Sequence, residues 1–264
     1  MRLVTWNVNS LAARLEFVLA WMRVNEPDVV CMQETKLSDG AFPAAAFADL
    51  GYDAVHHGGG RWNGVAIVSR VGLADPVPGF GGENDDEGCR ILAATCDGVR
   101  VHSVYVPNGR SLDSEQFALK LAWLERLGGY LAASYRPSDD VAVCGDFNVA
   151  PDDADVWDPA AFEGATHVSP PERAALDGVL SWGLVDVFRR MHPDGGVFSW
   201  WDYRAGAFHL GHGMRIDLVL ASEPLAKRCT AAEIDRDARK KNANGDKPSD
   251  HTAVVVDFAA RAPG

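Results

Sequence analysis

The chain has 264 residues, with 47% hydrophobic and 23% charged side chains, a globular balance that excludes a largely disordered protein and allows a sizeable core. Its net charge of −12 argues against a passive nucleic-acid binder, which carries a basic excess. It does not exclude a metal-dependent nuclease, which needs clustered carboxylates and lets the bound cation reverse the local field.

The N-terminus, Met1-Arg2-Leu3-Val4-Thr5-Trp6-Asn7, shows no secretion signal, and no apolar run approaches the roughly 20 residues that span a bilayer. Residues 1–8 predict a strand with a polar end at Asn7 and Asn9. Leu11, Leu15, Val18, Leu19 and Met22 recur at helical spacing over 11–25, and Pro27 stops that helix. Val29-Val30-Cys31-Met32 is a short buried strand ending at Gln33-Glu34. Further strands are expected at 53–57, 64–70, 91–96 and 100–106. Residues 114–134 form the longest helical pattern, with Phe117, Leu121, Leu124, Leu127 and Leu131 on one face and Ser111 or Asp113 as its cap. Val141-Ala142-Val143-Cys144 is a buried strand ending at Gly145-Asp146-Phe147-Asn148. A helix near 171–182 and strands at 216–221 and 252–258 complete the chain. The acidic run 83–87 and the polar stretch 239–247 read as solvated loops, and disorder is expected only in short loops and over 259–264. Strands adjoin strands with helices inserted, which suggests two packed sheets with helices outside. There is no repeat or linker, so one domain, 1–264, is expected. The five cysteines (Cys31, Cys89, Cys96, Cys144, Cys229) are scattered, never in a Cys-x-x-Cys pair. They read as reduced thiols of a cytoplasmic protein.

The polar residues of interest fall at strand ends, where a rigid core presents function. Glu34 is suited to magnesium, which takes oxygen donors, although alone it reads more simply as a solvated acid. Asn7 and Asn9 can position a phosphate or are turn formers. Asp146 can exchange a proton with water or a leaving group, and Asn148 can bond a phosphate as charge develops; the alternative is an Asx turn. His251, in Ser249-Asp250-His251, can hold a phosphate oxygen, with Asp250 near a metal and Asp217 of Arg215-Ile216-Asp217 orienting the imidazole. Tyr105 can donate to a phosphate or serve as a rim tyrosine. The segment 198–204, with Trp200, Trp201, Tyr203 and Arg204, can meet bases, although some of these rings belong to the core. No single residue decides the matter; their recurrence at strand ends in one chain does.

This pattern resembles the exonuclease III family of AP endonucleases, within the endonuclease/exonuclease/phosphatase superfamily. The segments that carry it include Thr5-Trp6-Asn7-Val8-Asn9, Gln33-Glu34-Thr35-Lys36, Tyr105-Val106-Pro107-Asn108-Gly109, Gly145-Asp146-Phe147-Asn148, Trp200-Trp201-Asp202-Tyr203-Arg204, Arg215-Ile216-Asp217 and Pro248-Ser249-Asp250-His251, in order over nearly the whole chain. The resemblance implies a four-layer α/β sandwich of two mixed sheets with helices outside. It implies Glu34, Asn7 and Asp250 around a Mg²⁺ ion, with Mn²⁺ as a substitute. It implies Tyr105, Asp146, Asn148, Asp217 and His251 as catalytic residues, and Asn9, Asn108, Arg110, Trp200, Arg204 and Arg215 as DNA contacts. Met214 stands where some relatives have a tryptophan lining the pocket. The expected activity is hydrolysis 5′ to abasic sites in double-stranded DNA, with processing of blocked 3′ ends, by a monomer that needs no membrane. The competing expectations are a lipid or inositol phosphoesterase and a DNA-binding relative that has lost the chemistry.

Overall fold

In the computed structural model, which describes residues 1–81, 88–242 and 245–261, twelve strands form two six-stranded sheets. The first sheet holds β1 (Arg2–Asn7), β2 (Val29–Gln33), β3 (Asp53–His57) and β4 (Val65–Ser69). The second holds β5 (Ala74–Pro78), β6 (Ile91–Cys96), β7 (Val99–Tyr105), β8 (Val141–Asp146), β9 (Leu184–Asp186) and β10 (Asp217–Ser222). The chain then returns to the first sheet with β11 (Cys229–Ile234) and β12 (Val254–Phe258). The strand orders are β11-β12-β1-β2-β4-β3 and β5-β6-β7-β8-β10-β9.

Each sheet contains one parallel pair, β1 with β2 and β7 with β8, and a parallel pair needs a crossover. Helix α1 (Leu11–Asn25) supplies the first; α2 (Ala44–Ala48) is a short later turn, and α3 (Glu115–Ser134) supplies the second crossover. The central strands are buried on both faces, which is why they read as unbroken apolar runs. Alternate side chains divide between two interiors. Leu3, Val29, Cys31 and Ile67 meet Ala94, Val101, Cys144 and Val219 between the sheets. Val4, Trp6, Val30 and Met32 pack outward under Val18, Leu19 and Met22 of α1. Val104, Val143 and Leu218 pack outward under Trp123, Leu124 and Leu127 of α3 and Leu176 of α4 (Pro170–Leu180). The layers are therefore helix, sheet, sheet, helix, the expected four-layer sandwich. None of the five cysteines forms a disulfide, and no described helix is long and apolar enough to cross a membrane.

Several local expectations change. Ser114, not Ser111 or Asp113, caps α3: its hydroxyl oxygen accepts from the Phe117 N–H, while the Ser111 hydroxyl donates to Asp113. Strands β5, β9 and β11 lacked a sequence prediction, and all three are sheet edges. An edge strand needs no continuous apolar run, and β5 carries two prolines that a central ladder would reject. Ala259, at the start of the tail, exchanges backbone and guanidinium bonds with Arg228 and is anchored. The acidic run 83–87 lies outside the described residues, as do 243–244 of the polar stretch and 262–264 of the tail.

Candidate active site

Strand register assembles the site. Tyr105 is the partner of Asp146 across β7 and β8, and Asp217 is the partner of Asp146 across β8 and β10. Three expected residues thus stand side by side at one end of the second sheet. At the same end of the first sheet, Asn7 pairs with Gln33, and Glu34 follows. Gln33 ties the sheets together, donating to Thr5 Oγ1 and to Ser103 Oγ of β7 at 3.0 Å each. Gly145 is required at its position: a Cβ there would lie 1.9 Å from the Val104 carbonyl oxygen and push β8 off β7 immediately before Asp146.

The chain leaves these strands through left-handed residues. Asn9, Glu34 and Asn148 have φ of 43°, 52° and 52°. Such conformations cost on the order of 1–3 kcal/mol each and collect where function over-determines the backbone.

The Asn7 amide clamps the two sheets' carboxylates. Its Nδ2 donates to Glu34 Oε1 and to Asp146 Oδ2, both at 2.9 Å, and its Oδ1 accepts from the Asn9 N–H. Asn7 therefore orients the acids, with its amide nitrogen turned toward them. Lys36 Nζ lies 2.9 Å from Glu34 Oε2. Burial alone would raise the Glu34 pKa, but Asn7 and Lys36 outweigh it and hold the carboxylate below its usual range. Asp250 accepts from Asn9 Nδ2 at 2.9 Å and from Trp200 Nε1 at 3.2 Å. With His251 beside it, these contacts keep Asp250 ionised against the cost of burial.

His251 is buried, with Nδ1 2.9 Å from Asp217 Oδ2 and Nε2 3.8 Å from Asp146 Oδ2. Ser199 Oγ donates to the same Asp217 oxygen at 2.6 Å. Burial opposes protonation of the ring, but Asp217 and then Asp146 reverse this and push its pKa up to about 10. Burial raises Asp146 to about 7, against the pull of His251. The result is an imidazolium donor facing a carboxylate poised near neutrality, a pairing suited to proton transfer.

Asn148 is fixed from several sides. Its N–H donates to Asp146 Oδ1, its Nδ2 to the Val106 carbonyl, and its Oδ1 accepts from Asn108 Nδ2. Two residues outside the expected set support it. Lys120 is fully buried on α3 and donates to the carbonyls of Asn148 and Asn108, paired with the equally buried Glu172 of α4. His167 Nδ1 lies 2.5 Å from the Asn148 carbonyl oxygen. Lys120 occupies an interior position of an otherwise apolar helix face, so its departure from that pattern was the available clue.

These residues line one cavity of about 160 Å³, walled by Glu34, Tyr105, Asp146, Asn148, His167 and His251 with Trp200, Asn108 and Asp250 around them. Ligand atoms of Glu34, Asp146 and His251 lie within 4.8 Å of one another. With Asp250 close by, the oxygen donors suit a hard divalent ion, and Glu34 already faces a cation in the Lys36 ammonium. Among the expected DNA contacts, Arg110 and Arg204 are exposed and Asn108 stands at the rim. Arg215 is a correction. It is fully buried, with Nε 2.6 Å from Asp155 Oδ1 and Nη1 2.7 Å from Asp186 Oδ2, and it presents nothing to DNA. Met214 is buried under Trp200 and does not line the cavity.

Residues 4–251 match the Endonuclease/Exonuclease/phosphatase family. The chain belongs to that family. It is similar to exodeoxyribonuclease III of Haemophilus influenzae, 33% identical over 98% of this chain and 100% of that protein. It is similar to the structure of an AP endonuclease from Archaeoglobus fulgidus, with 39% identity, a TM-score of 0.93 and coverage of 98% and 99% of the two chains. A 3′ phosphatase from Neisseria, solved with product DNA hairpin, has 38% identity, a TM-score of 0.92 and the same coverage. Within the Endonuclease/Exonuclease/phosphatase family the chain falls in the exonuclease III branch, and it is a hydrolase of DNA repair, a nuclease with a cluster able to hold a metal ion.

Proposed function

We propose that this nuclease is a monomeric, single-domain, Mg²⁺-dependent enzyme that hydrolyses the phosphodiester 5′ to abasic sites in double-stranded DNA and processes blocked 3′ ends. The observation that carries it is the meeting of Glu34, Asp146 and His251 within 4.8 Å, in a cavity also lined by Asn148 and Tyr105.

Glu34 and Asp250 would hold the ion, oriented by Asn7 and Asn9. Bound Mg²⁺ supplies Lewis-acid stabilisation of charge on the phosphate oxygens. Asp146 takes a proton from the attacking water as its oxygen bonds to phosphorus and the P–O3′ bond breaks, and the departing O3′ takes a proton from solvent to leave a 3′ hydroxyl. His251 donates from Nε2 to a non-bridging oxygen, with Asp217 holding its other nitrogen. Asn148 and Tyr105 add donors as charge grows in the transition state. An abasic nucleotide suits a small cavity because no base stack must be broken to turn it outward.

A second reading, a specialised 3′-end phosphatase, is favoured by His167, whose ring stands in the cavity wall beside Asn148. The Neisseria relative is described as a 3′ phosphatase. Turnover on a duplex with an internal abasic analogue, set against a nicked duplex ending in a 3′ phosphate, separates the two. Comparable rates support the broad activity; cleavage of the 3′ phosphate alone supports the second reading. Hydrolysis of inositol phosphates with neither DNA cut would overturn both.

A further inference from the structure

Beside the active site lies a second cavity, of about 520 Å³, lined by Tyr203, Phe208, Arg239, Lys240, Lys241 and Lys247. The chain has only six lysines, and three of them stand here; the others are Lys36, Lys120 and Lys227. In a protein of net charge −12 that concentration makes a local positive potential suited to a partner of opposite charge. The nearby acids are already engaged: Asp237 lies 2.5 Å from Lys240, and Asp202 3.2 Å from Arg204. Lys241 and Lys247 are exposed and have no ion-pair partner among the described residues.

The aromatic wall is fixed. The Arg239 guanidinium lies 4.9 Å from the Tyr203 ring centre and 5.2 Å from that of Phe208, and the Arg236 guanidinium lies 4.5 Å from that of Phe208. Arg14 and the Pro248 carbonyl hold the Tyr203 hydroxyl, yet Tyr203 is 51% exposed. Pro248 lines the cavity and is two residues from Asp250, and Arg239 Nε donates to the Asp250 carbonyl. The cavity is thus coupled to the metal-facing loop.

Aromatic faces beside free ammonium groups take a base and its phosphate together, the combination found where single strands are bound. We infer that this cavity is a subsite for one unpaired nucleotide of the DNA substrate, its base on Tyr203 and its phosphate between Lys241 and Lys247. A base in a duplex has no free face to offer, so the subsite distinguishes frayed or tailed DNA from flush DNA.

The inference rests on the DNA-nuclease reading, and cleavage of a flush abasic duplex by the unaltered protein checks that reading separately. The test is binding of fluorescein-labelled abasic duplexes in Ca²⁺, flush or carrying a four-nucleotide dT tail at either end, across a range of salt. The wild type should bind one tailed duplex roughly tenfold more tightly than the flush one. Lys241→Ala/Lys247→Ala, which removes the contact to that one phosphate, should make the dependence of log affinity on log salt shallower by about one. Tyr203→Leu should abolish the tail preference while Tyr203→Phe, which lacks the hydroxyl bonds but keeps the ring, retains it. Equal binding of tailed and flush DNA by the wild type, or an unchanged salt slope in the lysine variant, would overturn the inference.

Discussion

His251 Nε2 lies 3.8 Å from Asp146 Oδ2, while its Nδ1 is held 2.9 Å from Asp217. One imidazolium thus separates two buried carboxylates, and each controls a different property. Asp217 sets the charge and direction of the ring. Asp146 feels that charge as the largest pull against its own burial, with the Asn7 hydrogen bond adding to it. Replacing Asp217 by Asn should lower kcat by about 100-fold or more, since the ring loses both its preferred tautomer and its proton at working pH.

The pH profile follows from the same pair. Asp146 must be ionised to accept a proton, so activity falls as pH drops through its pKa, at or below about 7 once a cation is bound. His251 must be protonated to donate, so activity falls as pH rises through about 10. Asp217→Asn removes the largest influence raising His251, and its alkaline limb should move down by more than a unit. An unmoved alkaline limb would show that His251 is not the group titrating there.

Metal affinity divides between a ligand and its support. Asn7→Ala leaves both carboxylates but frees them, and should weaken Mg²⁺ binding by about 10- to 100-fold, the usual cost of losing such a partner. Glu34→Gln should weaken it more. Quenching of tryptophan fluorescence during metal titration reads this without turnover, because Trp200 bonds Asp250 directly. Equal affinities in the wild type and Glu34→Gln would remove Glu34 from the metal site.

Lys120 and Glu172 form a pair with no exposed surface, and their oxygens and protons are shared with the segments carrying Asn108, Asn148 and His167. Lys120→Met strands the Glu172 charge and should destabilise the fold by about 3–5 kcal/mol. Lys120→Met/Glu172→Gln neutralises both and should regain most of that loss in denaturant melts. Turnover should stay low in the double variant, because the Asn148 carbonyl has still lost the Lys120 donor and keeps only the His167 contact. Full recovery of kcat along with stability would reduce Lys120 to a purely structural role.

The central strands were legible because burial on both faces leaves unbroken runs such as Val29–Met32 and Val141–Cys144. Edge strands lack that constraint, so β5, β9 and β11 left no such pattern. The residues at strand ends could be named from motifs, but their grouping depended on register, as with Tyr105, Asp146 and Asp217 in three adjacent strands. Arg215 shows the limit of a motif: it lies two residues from Asp217, yet its partners come from elsewhere in the chain, Asp155 from a short helical turn and Asp186 from the end of β9, and draw it inward. His167 had no signal, because its place in the wall follows from the turn that Glu172 organises by accepting from the His167 N–H.

The most direct test is single-turnover cleavage of an end-labelled duplex bearing one abasic analogue, in Mg²⁺, by the wild type and Asp146→Asn. The wild type should cut immediately 5′ to the lesion and leave a 3′ hydroxyl. The Asn variant should bind the duplex but cut at least about 100-fold more slowly, as expected for loss of a general base. Near-normal cleavage by Asp146→Asn would contradict the assignment of proton transfer to this carboxylate.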